Sequence, residues 1–444
     1  MNNGTTPHRI IIVGGGAGGL ELATKLGKTL GKRGRAEVTL VDNKLTHIWK
    51  PLLHEVAAGT LDSSVEELEY MNHAHMNHFK FRLGSLDGLD RTNKEVHVAA
   101  THDDDGDELI PARSFPYDTL VIAIGSLTNH FNIPGVEEHC YFLDTLREAE
   151  QFRKYLLKKL IKAQTRTQEL REGELSVAIA GAGATGVELS AELYDVTEQL
   201  IAYGMDNIEQ ERDIKITILE AAPTILPALP AHLSSAAAAE LEKLGIELLT
   251  DQRIVEANEK GFTTQSGEFI PAEIKVWAAG VKAAEVLSDL DGLETNQVNQ
   301  LVVKPTLQTT VDDSVFAFGD CAACPMPNGE GLVPPRAQAA HQQASLLAKS
   351  IKRRMAGKEL KDYKYLDYGS LVNLGRFSTV GNLMGSLAGR SAGNLRIEGL
   401  LAKFIYKSLH TMHLIALHGY VREILVLIAN KLTGHGTKPR VKLH

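Results

Sequence analysis

Two stretches of the chain share one rhythm. Residues 9–13 (Arg-Ile-Ile-Ile-Val) form a short, unbroken apolar run, the kind required of a strand buried on both faces of a parallel sheet. A glycine-rich turn, Gly14-Gly15-Gly16-Ala17-Gly18-Gly19, follows at once, then a helical stretch from Leu20 to about Leu30, then a second apolar run over 36–41 that ends at Asp42. The order returns as an apolar run over 175–180, the turn Gly181-Ala-Gly183-Ala-Thr-Gly186, a helix from about Val187, and a run over 215–219 that ends at Glu220. This predicts one strand–turn–helix–strand unit used twice, too widely spaced to be a solenoid repeat. Each unit has a further buried strand closing on glycine, at 117–125 (Gly125) and 273–280 (Gly280). A last run, 314–320, ends in Gly319-Asp320. Residues 84–111 read as a short antiparallel insertion with a solvated acidic tip at 103–105, and the charged helical stretch 147–171 as the crossover between domains.

The expected fold is therefore α/β, with two Rossmann-like dinucleotide-binding domains. The first spans 1–135 and 300–365, the second interrupts it at 136–299, and 366–444 forms a separate C-terminal segment. A length of 444 residues agrees, being roughly three times a ~150-residue domain. With 43% hydrophobic and 23% charged residues, the chain is neither disordered, nor collagen-like, nor one long coiled coil. A net charge of -8 argues against a nucleic-acid partner. Three cysteines cannot staple a chain this long and suit a reducing compartment. The first ten residues lack the apolar core of a secretory signal, and no apolar stretch approaches the ~18 residues of a spanning helix.

The glycine turns carry the first chemistry. A GxGxxG motif alone is weak, but each copy here follows an apolar strand and opens a helix. The glycines permit a tight turn and let the backbone approach a pyrophosphate, while the helix N-terminus offers unpaired N–H groups and partial positive charge. Asp42 and Glu220 end the next strands, placed to accept hydrogen bonds from a ribose diol. The polar stretch around 204–213 accounts for the longer spacing in the second unit. Two dinucleotides per chain is the reading.

With these motifs and the late Asp-Ser-Val-Phe-Ala-Phe-Gly-Asp run over 313–320, the chain resembles the two-dinucleotide flavoproteins related to glutathione reductase. That resemblance implies FAD on the first motif, NADH on the second, and Asp320 on the flavin's ribityl chain. Residues 49–56 (Trp-Lys-Pro-Leu-Leu-His-Glu-Val), 334–342 (Pro-Pro-Arg-Ala-Gln-Ala-Ala-His-Gln) and 375–381 (Gly-Arg-Phe-Ser-Thr-Val-Gly) narrow it further. They look like the type II NADH dehydrogenases, single-subunit, non-pumping NADH:quinone oxidoreductases, and the likeness runs from about Arg9 to His444. It implies one non-covalent FAD, NADH as substrate, ubiquinone or menaquinone as acceptor, and peripheral attachment to the cytosolic face of the inner membrane. FAD contacts are expected at Gly14, Gly15, Gly16, Ala17, Gly18, Gly19, Asp42, Asn43, Lys50, Pro51, Leu52, Gly125, Asp320, Ala337 and Gln338. NADH contacts are expected at Gly181, Gly183, Gly186, Glu188, Glu220 and Gly280. Glu220 should favour NADH by repelling a 2′-phosphate.

The family's quinone motif falls on Ala337, Gln338, Ala339, Ala340, His341 and Gln342. On a helix, Gln338, His341 and Gln342 lie three and four apart, where an amide and an imidazole could bond two quinone oxygens. The alternative is an alanine-rich helix packed on the flavin domain with polar edges. In the family the glutamate matching Glu188 faces nicotinamide and flavin; a carboxylate there could equally answer the helix dipole. Cys321 and Cys324 form a CxxC that admits a copper or redox-sensing role but has no second ligand pair, and an inert pair is the simpler reading. His73, His75 and His78 read as the edge of a polar helix, so no metal is expected.

The tail stands apart electrically. From 399 to 444 there are seven Lys/Arg and one acid, giving +6 there and -14 elsewhere. Leu401, Ile405, Leu409 and Met412 recur on one helical face, which predicts a basic amphipathic helix lying on an anionic lipid surface. A helix docked on the protein's own body or on a homodimer partner is the alternative. In some relatives a lysine of this segment reaches the flavin region, and Lys403 or Tyr406 would be its counterpart. Two other functions share much of this pattern: a sulfide:quinone oxidoreductase, which needs reactive cysteines beside the flavin, and an NADH-responsive binding or signalling flavoprotein.

Overall fold

The computed structural model describes residues 6–103, 105–167, 170–327, 329–374, 378–383, 395–398 and 410–433. The opening apolar run forms the strand His8–Val13, followed by helix α1 (Ala17–Leu26) and the strand Ala36–Asp42. His8–Val13 sits at the centre of a five-stranded sheet. On one side it pairs with Ala36–Asp42 and then Lys80–Leu83, on the other with Thr119–Ile122 and then Val315–Ala317, all parallel. Ile10, Ile12, Leu120, Val121 and Ile122 are fully enclosed, as strands covered on both faces must be. Each such side chain contributes about 1.5–3 kcal/mol through burial.

The second unit repeats this order. Glu247–Leu249, Ile216–Leu219, Val177–Ala180 and Ile274–Trp277 lie side by side, all parallel. Each sheet carries a three-stranded antiparallel insertion, at 86–116 in the first and 254–271 in the second. The acidic tip expected near 103 closes a further hairpin, Thr101–His102 against Glu108–Ile110. The crossover helix α2 (Leu146–Gln164) starts at a capping box between Thr145 and Glu148 and ends before 171.

The chain leaves the first unit at Leu127–Thr128 and returns at Val281–Lys282, and these two segments pair antiparallel. The return comes earlier than the boundary of 300 set by the motifs. Ala283, Leu287, Leu290 and Leu293 already belong to the first core, so their burial, which no motif marks, draws the boundary back to about 283. Two other segments bridge the units. The helix Leu53–Ala58 buries Leu53, Val56 and Ala57 in the second core, although it lies within the first unit in sequence. Strand Ser370–Leu374 likewise puts Val372 and Leu374 there, while Leu417 packs into the first core. The C-terminal segment is therefore stitched to both units. Residues 375–377, Leu401, Lys403, Ile405, Tyr406 and Leu409 lie outside the described residues.

Candidate functional site

The two glycine turns are built alike. Gly14 (φ +104°) and Gly181 (φ +101°) pass so close to the third strand that a Cβ would lie 2.3 Å from the Ala123 carbonyl oxygen and 2.8 Å from Ala279. A Cβ on Gly19 would sit 1.8 Å from the Gly14 oxygen, and on Gly186 2.0 Å from the Gly181 oxygen, so only glycine lets helix meet strand. A Cβ on Gly16 or Gly183 would meet nothing within 4 Å. Those are the faces left clear for a ligand, at the N-termini of α1 and of α3 (Ala184–Ala202). Both turns thus fit a pyrophosphate by the space their glycines leave.

The strand-end acids brace these turns. Asp42 accepts from the Gly15 N–H (2.6 Å) and the Lys44 N–H (2.9 Å); Glu220 accepts from the Ala182 N–H (2.8 Å) and the Ala222 N–H (2.9 Å). A carboxylate offers about four lone-pair sites, so each acid retains capacity for a ribose diol. Burial raises the Asp42 carboxyl above its ordinary value, opposed by these backbone bonds.

Asp320 follows the Val315–Ala317 strand, and its Oδ2 accepts from Ser126 Oγ at 3.0 Å. Burial raises its carboxyl too, with Ser126 and Lys50 pulling the other way. Lys50 donates to the Ser126 carbonyl (2.9 Å) and to Asp144 Oδ1 (2.8 Å), and Asp144 Oδ2 accepts from the Thr128 N–H at 2.8 Å. Lys50 and Asp320 are thereby tied to the link between the units. Pro51 and Leu52 continue from Lys50 in a single 3-10 turn, and Asn43 follows Asp42 in a bend.

Helix α4 (Ala337–Met355) carries the quinone motif, and its polar side chains diverge. Gln338 donates to the Gly369 carbonyl (3.0 Å) and accepts from the Tyr368 N–H (3.0 Å). Gln342 donates to the Leu366 carbonyl (2.7 Å) and accepts from the Leu366 N–H (3.0 Å). His341 turns instead to α1, where its Nδ1 lies 2.6 Å from Glu21 Oε2. The helical spacing does put Gln338 and Gln342 together, but both amides hold the 366–369 segment. His341, about 100° further round from Gln342, faces another partner.

Glu188 is buried on α3, just past its first turn. Its Oε1 accepts from the Asn373 N–H (2.9 Å), and its Oε2 lies 3.7 Å from His54 Nδ1. Burial lowers the His54 ring to about 4, so it is neutral near pH 7. His54 lies in the 49–56 run without a role marked for it, and Ser126 and Asp144 carry no motif signal; their contacts with Glu188, Asp320 and Lys50 distinguish them. The thiols are inert by the same measure. Burial raises Cys321 and Cys324 to about 11 and Cys140 to about 12, so none is a thiolate at neutral pH. Among the described residues no cluster could hold a metal ion.

The turn at Gly15 is also held from outside. Tyr70 OH donates to the Gly15 carbonyl (2.7 Å), and His47 Nδ1 lies 3.0 Å from the same oxygen. His47 Nε2 meets His413 Nε2 at 3.0 Å, Trp49 stacks on His410 (centroids 5.0 Å apart), and His418 meets the His73 ring edge-on at 5.8 Å. His410, His413 and His418 belong to one helix, 410–418, so this part of the tail docks on the flavin-type unit. His73, expected on a polar edge, instead bonds Thr24 Oγ1 at 2.8 Å.

Burial lowers His47 and His410 to about 4 and His73 to about 3, and depresses His413 and His418. Lys28, Arg422 and His341 face the same rings and disfavour further positive charge, while Glu66 lies 3.8 Å from His410. A base with a depressed folded pKa binds more protons once released. Docking stability is therefore whole above about pH 6.5 and is lost as pH falls toward 4, by about 3 kcal/mol for one ring shifted as far as His47. Thermal denaturation between pH 7 and 4.5 should show Tm falling, with His47→Phe reducing the slope. An unchanged slope would remove His47 from the latch.

Two braced turns on twinned parallel sheets define a two-dinucleotide oxidoreductase, and the comparisons agree. The model of the pyridine nucleotide-disulphide oxidoreductase family matches residues 8–344. The chain is 46% identical to a type II NADH:quinone oxidoreductase of Haemophilus influenzae, covering 98% of this chain and 99% of that protein. Its counterpart in Staphylococcus aureus is 31% identical, over 87% of this chain and 93% of that one. The chain belongs to the type II NADH:quinone oxidoreductases within that larger family. In fold it matches NDH2 from Plasmodium falciparum in complex with NADH, with a TM-score of 0.79 at 20% identity over 97% of this chain and 99% of that one. The sulfide:quinone oxidoreductase from Aquifex aeolicus also shares the fold, with a TM-score of 0.72 at 15% identity over 93% and 92% of the two chains.

Proposed function

We propose that this chain oxidises NADH and reduces a quinone through one bound FAD, without pumping protons. The observation that carries the reading is the duplicated glycine turn, each copy braced by its strand-end acid, in a chain of this family. The first cradle, with Asp42, Lys50 and Asp320, suits FAD; the second, with Glu220, suits NADH. A flavin bound there supplies hydride acceptance and two-electron transfer, which no side chain can provide. Glu188 and His54 are buried together, with Glu188 Oε2 3.7 Å from His54 Nδ1. Gln338 and Gln342 fasten the 366–369 segment beside the quinone motif, and His341 supplies an imidazole there. Sulfide chemistry is disfavoured because all three thiols are held protonated. The site is reached from the bilayer side, on which we place the exposed apolar residues Val421, Ile424, Leu425 and Ile428 of α5 (Tyr420–Thr433).

The deciding assay is NADH-dependent reduction of a short-chain quinone by the purified, flavin-loaded chain, expected at on the order of 10² turnovers per second. Turnover near zero would favour a binding or signalling role. Nucleotide choice follows from Glu220. Glu220→Gln keeps one acceptor for the loop but removes the charge facing a 2′-phosphate, so kcat/KM for NADPH should rise about tenfold relative to NADH. An unchanged ratio would show that Glu220 braces the turn only.

A further inference from the structure

Glu21 is the most deeply enclosed carboxylate near the proposed quinone site, with its side chain fully buried on α1. Enclosing a carboxylate costs several kcal/mol unless donors surround it. Here three do. Lys25 Nζ bonds Oε1, Ser345 Oγ lies 3.4 Å from Oε1, and His341 Nδ1 lies 2.6 Å from Oε2. Lys25 also donates to Ser345 Oγ at 2.6 Å. Residues 21 and 25 are one turn apart on α1, and 341 and 345 one turn apart on α4, so two helices build the cluster together.

The lysine settles the protonation pattern. An ammonium on Oε1 favours the ionised carboxylate, and an ionised carboxylate can only accept. The short bond to His341 therefore carries its proton on Nδ1. The imidazole remains about one-third exposed, with Nε2 the nitrogen left for exchange.

We propose that Glu21 is a positioning residue that holds His341 with its proton on Nδ1, so that Nε2 delivers the second proton of quinone reduction. This rests on the reading of His341 as a quinone-site residue. The balance is NADH + H⁺ + quinone → NAD⁺ + quinol. The hydride brings two electrons and one proton, so one further proton must reach a quinone oxygen. The imidazolium gives it from Nε2–H, an O–H bond forming as the N–H bond breaks, and the neutral ring keeps Nδ1–H on Glu21. Water then reprotonates Nε2. A carboxylate on the far nitrogen holds the ring to the single tautomer to which it returns.

The test uses the full flavin-loaded chain, NADH and a short-chain ubiquinone, with the two half-reactions followed separately by rapid mixing. In Glu21→Gln, quinone-dependent kcat should fall about tenfold or more, with KM for quinone and flavin reduction by NADH within about twofold. ¹⁵N-histidine spectra, with His341 assigned by its loss in His341→Ala, should show the neutral ring as Nδ1–H alone in the wild type and as mixed tautomers in Glu21→Gln. If His341→Ala slows flavin reduction by NADH instead of the quinone step, the quinone-site reading fails. If His341→Ala slows the quinone step while Glu21→Gln leaves kcat and tautomer unchanged, the role of Glu21 fails alone. Should Glu21→Gln not fold, a neutral wild-type His341 with its proton on Nε2 and none on Nδ1 would by itself overturn the proposal.

Discussion

Replacing Gly19 by valine yields a protein purified without flavin colour. The new Cβ would lie 1.8 Å from the Gly14 carbonyl oxygen, a backbone atom that can yield only if α1 lifts from the turn. Overpacking of this kind costs about 3 kcal/mol or more, roughly a hundredfold in binding. Gly186→Val makes the same intrusion at 2.0 Å on Gly181 and should act on the other nucleotide. It should keep its flavin while KM for NADH rises by a similar factor. Absorbance at the flavin band and steady-state kinetics distinguish the two variants. The opposite pattern, colour lost only in Gly186→Val, would exchange the cofactors between the units.

The second large effect comes from removing residues 420–444. The tail divides at Gly419: helix 410–418 is docked through His410, His413 and Leu417, whereas α5 exposes Tyr420 (71%), Val421 (76%) and Leu425 (61%). A cut after 419 spares the docking and deletes five of the seven tail cations. We expect this protein to hold flavin and to reduce short-chain quinone with NADH at nearly the full rate. Reduction of long-chain quinone in anionic vesicles should fall at least about tenfold, since each lost cation removes about 1 kcal/mol of lipid attraction. Salt should weaken attachment of the full chain without abolishing it, because the apolar part is not screened. A truncated chain that still sediments with such vesicles would place the membrane surface elsewhere. Among the described residues no helix is long and apolar enough to cross a bilayer.

Much of this was legible in residue order because it is local. An apolar run, a glycine turn and a helix are neighbours in sequence, and the acids that brace the turns follow 27 and 38 positions after the residues they bond. Hence both turns, the bracing acids Asp42 and Glu220, and Asp320 at its strand end stand where the motifs put them. Of the two readings of the tail, the docked one is met by helix 410–418. The lipid-facing one was read from Leu401, Ile405 and Leu409, which lie outside the described residues, while α5 exposes apolar side chains further on.

What residue order alone determined is the pair of Rossmann-like units, because strand and helix periodicities and glycine's missing Cβ act within a few turns of chain. Tertiary structure decided which polar groups meet. Glu21 and His341 are 320 positions apart, His47 and His413 366, Glu188 and Asn373 185. Their partnership follows from how the helices and sheets pack, and burial then sets the charge each carries. The same packing turns Gln338 and Gln342 to the 366–369 segment and draws residues 283–293 into the first core. Hydrogen bonds and burial are made in space, so no spacing rule along the chain could announce them.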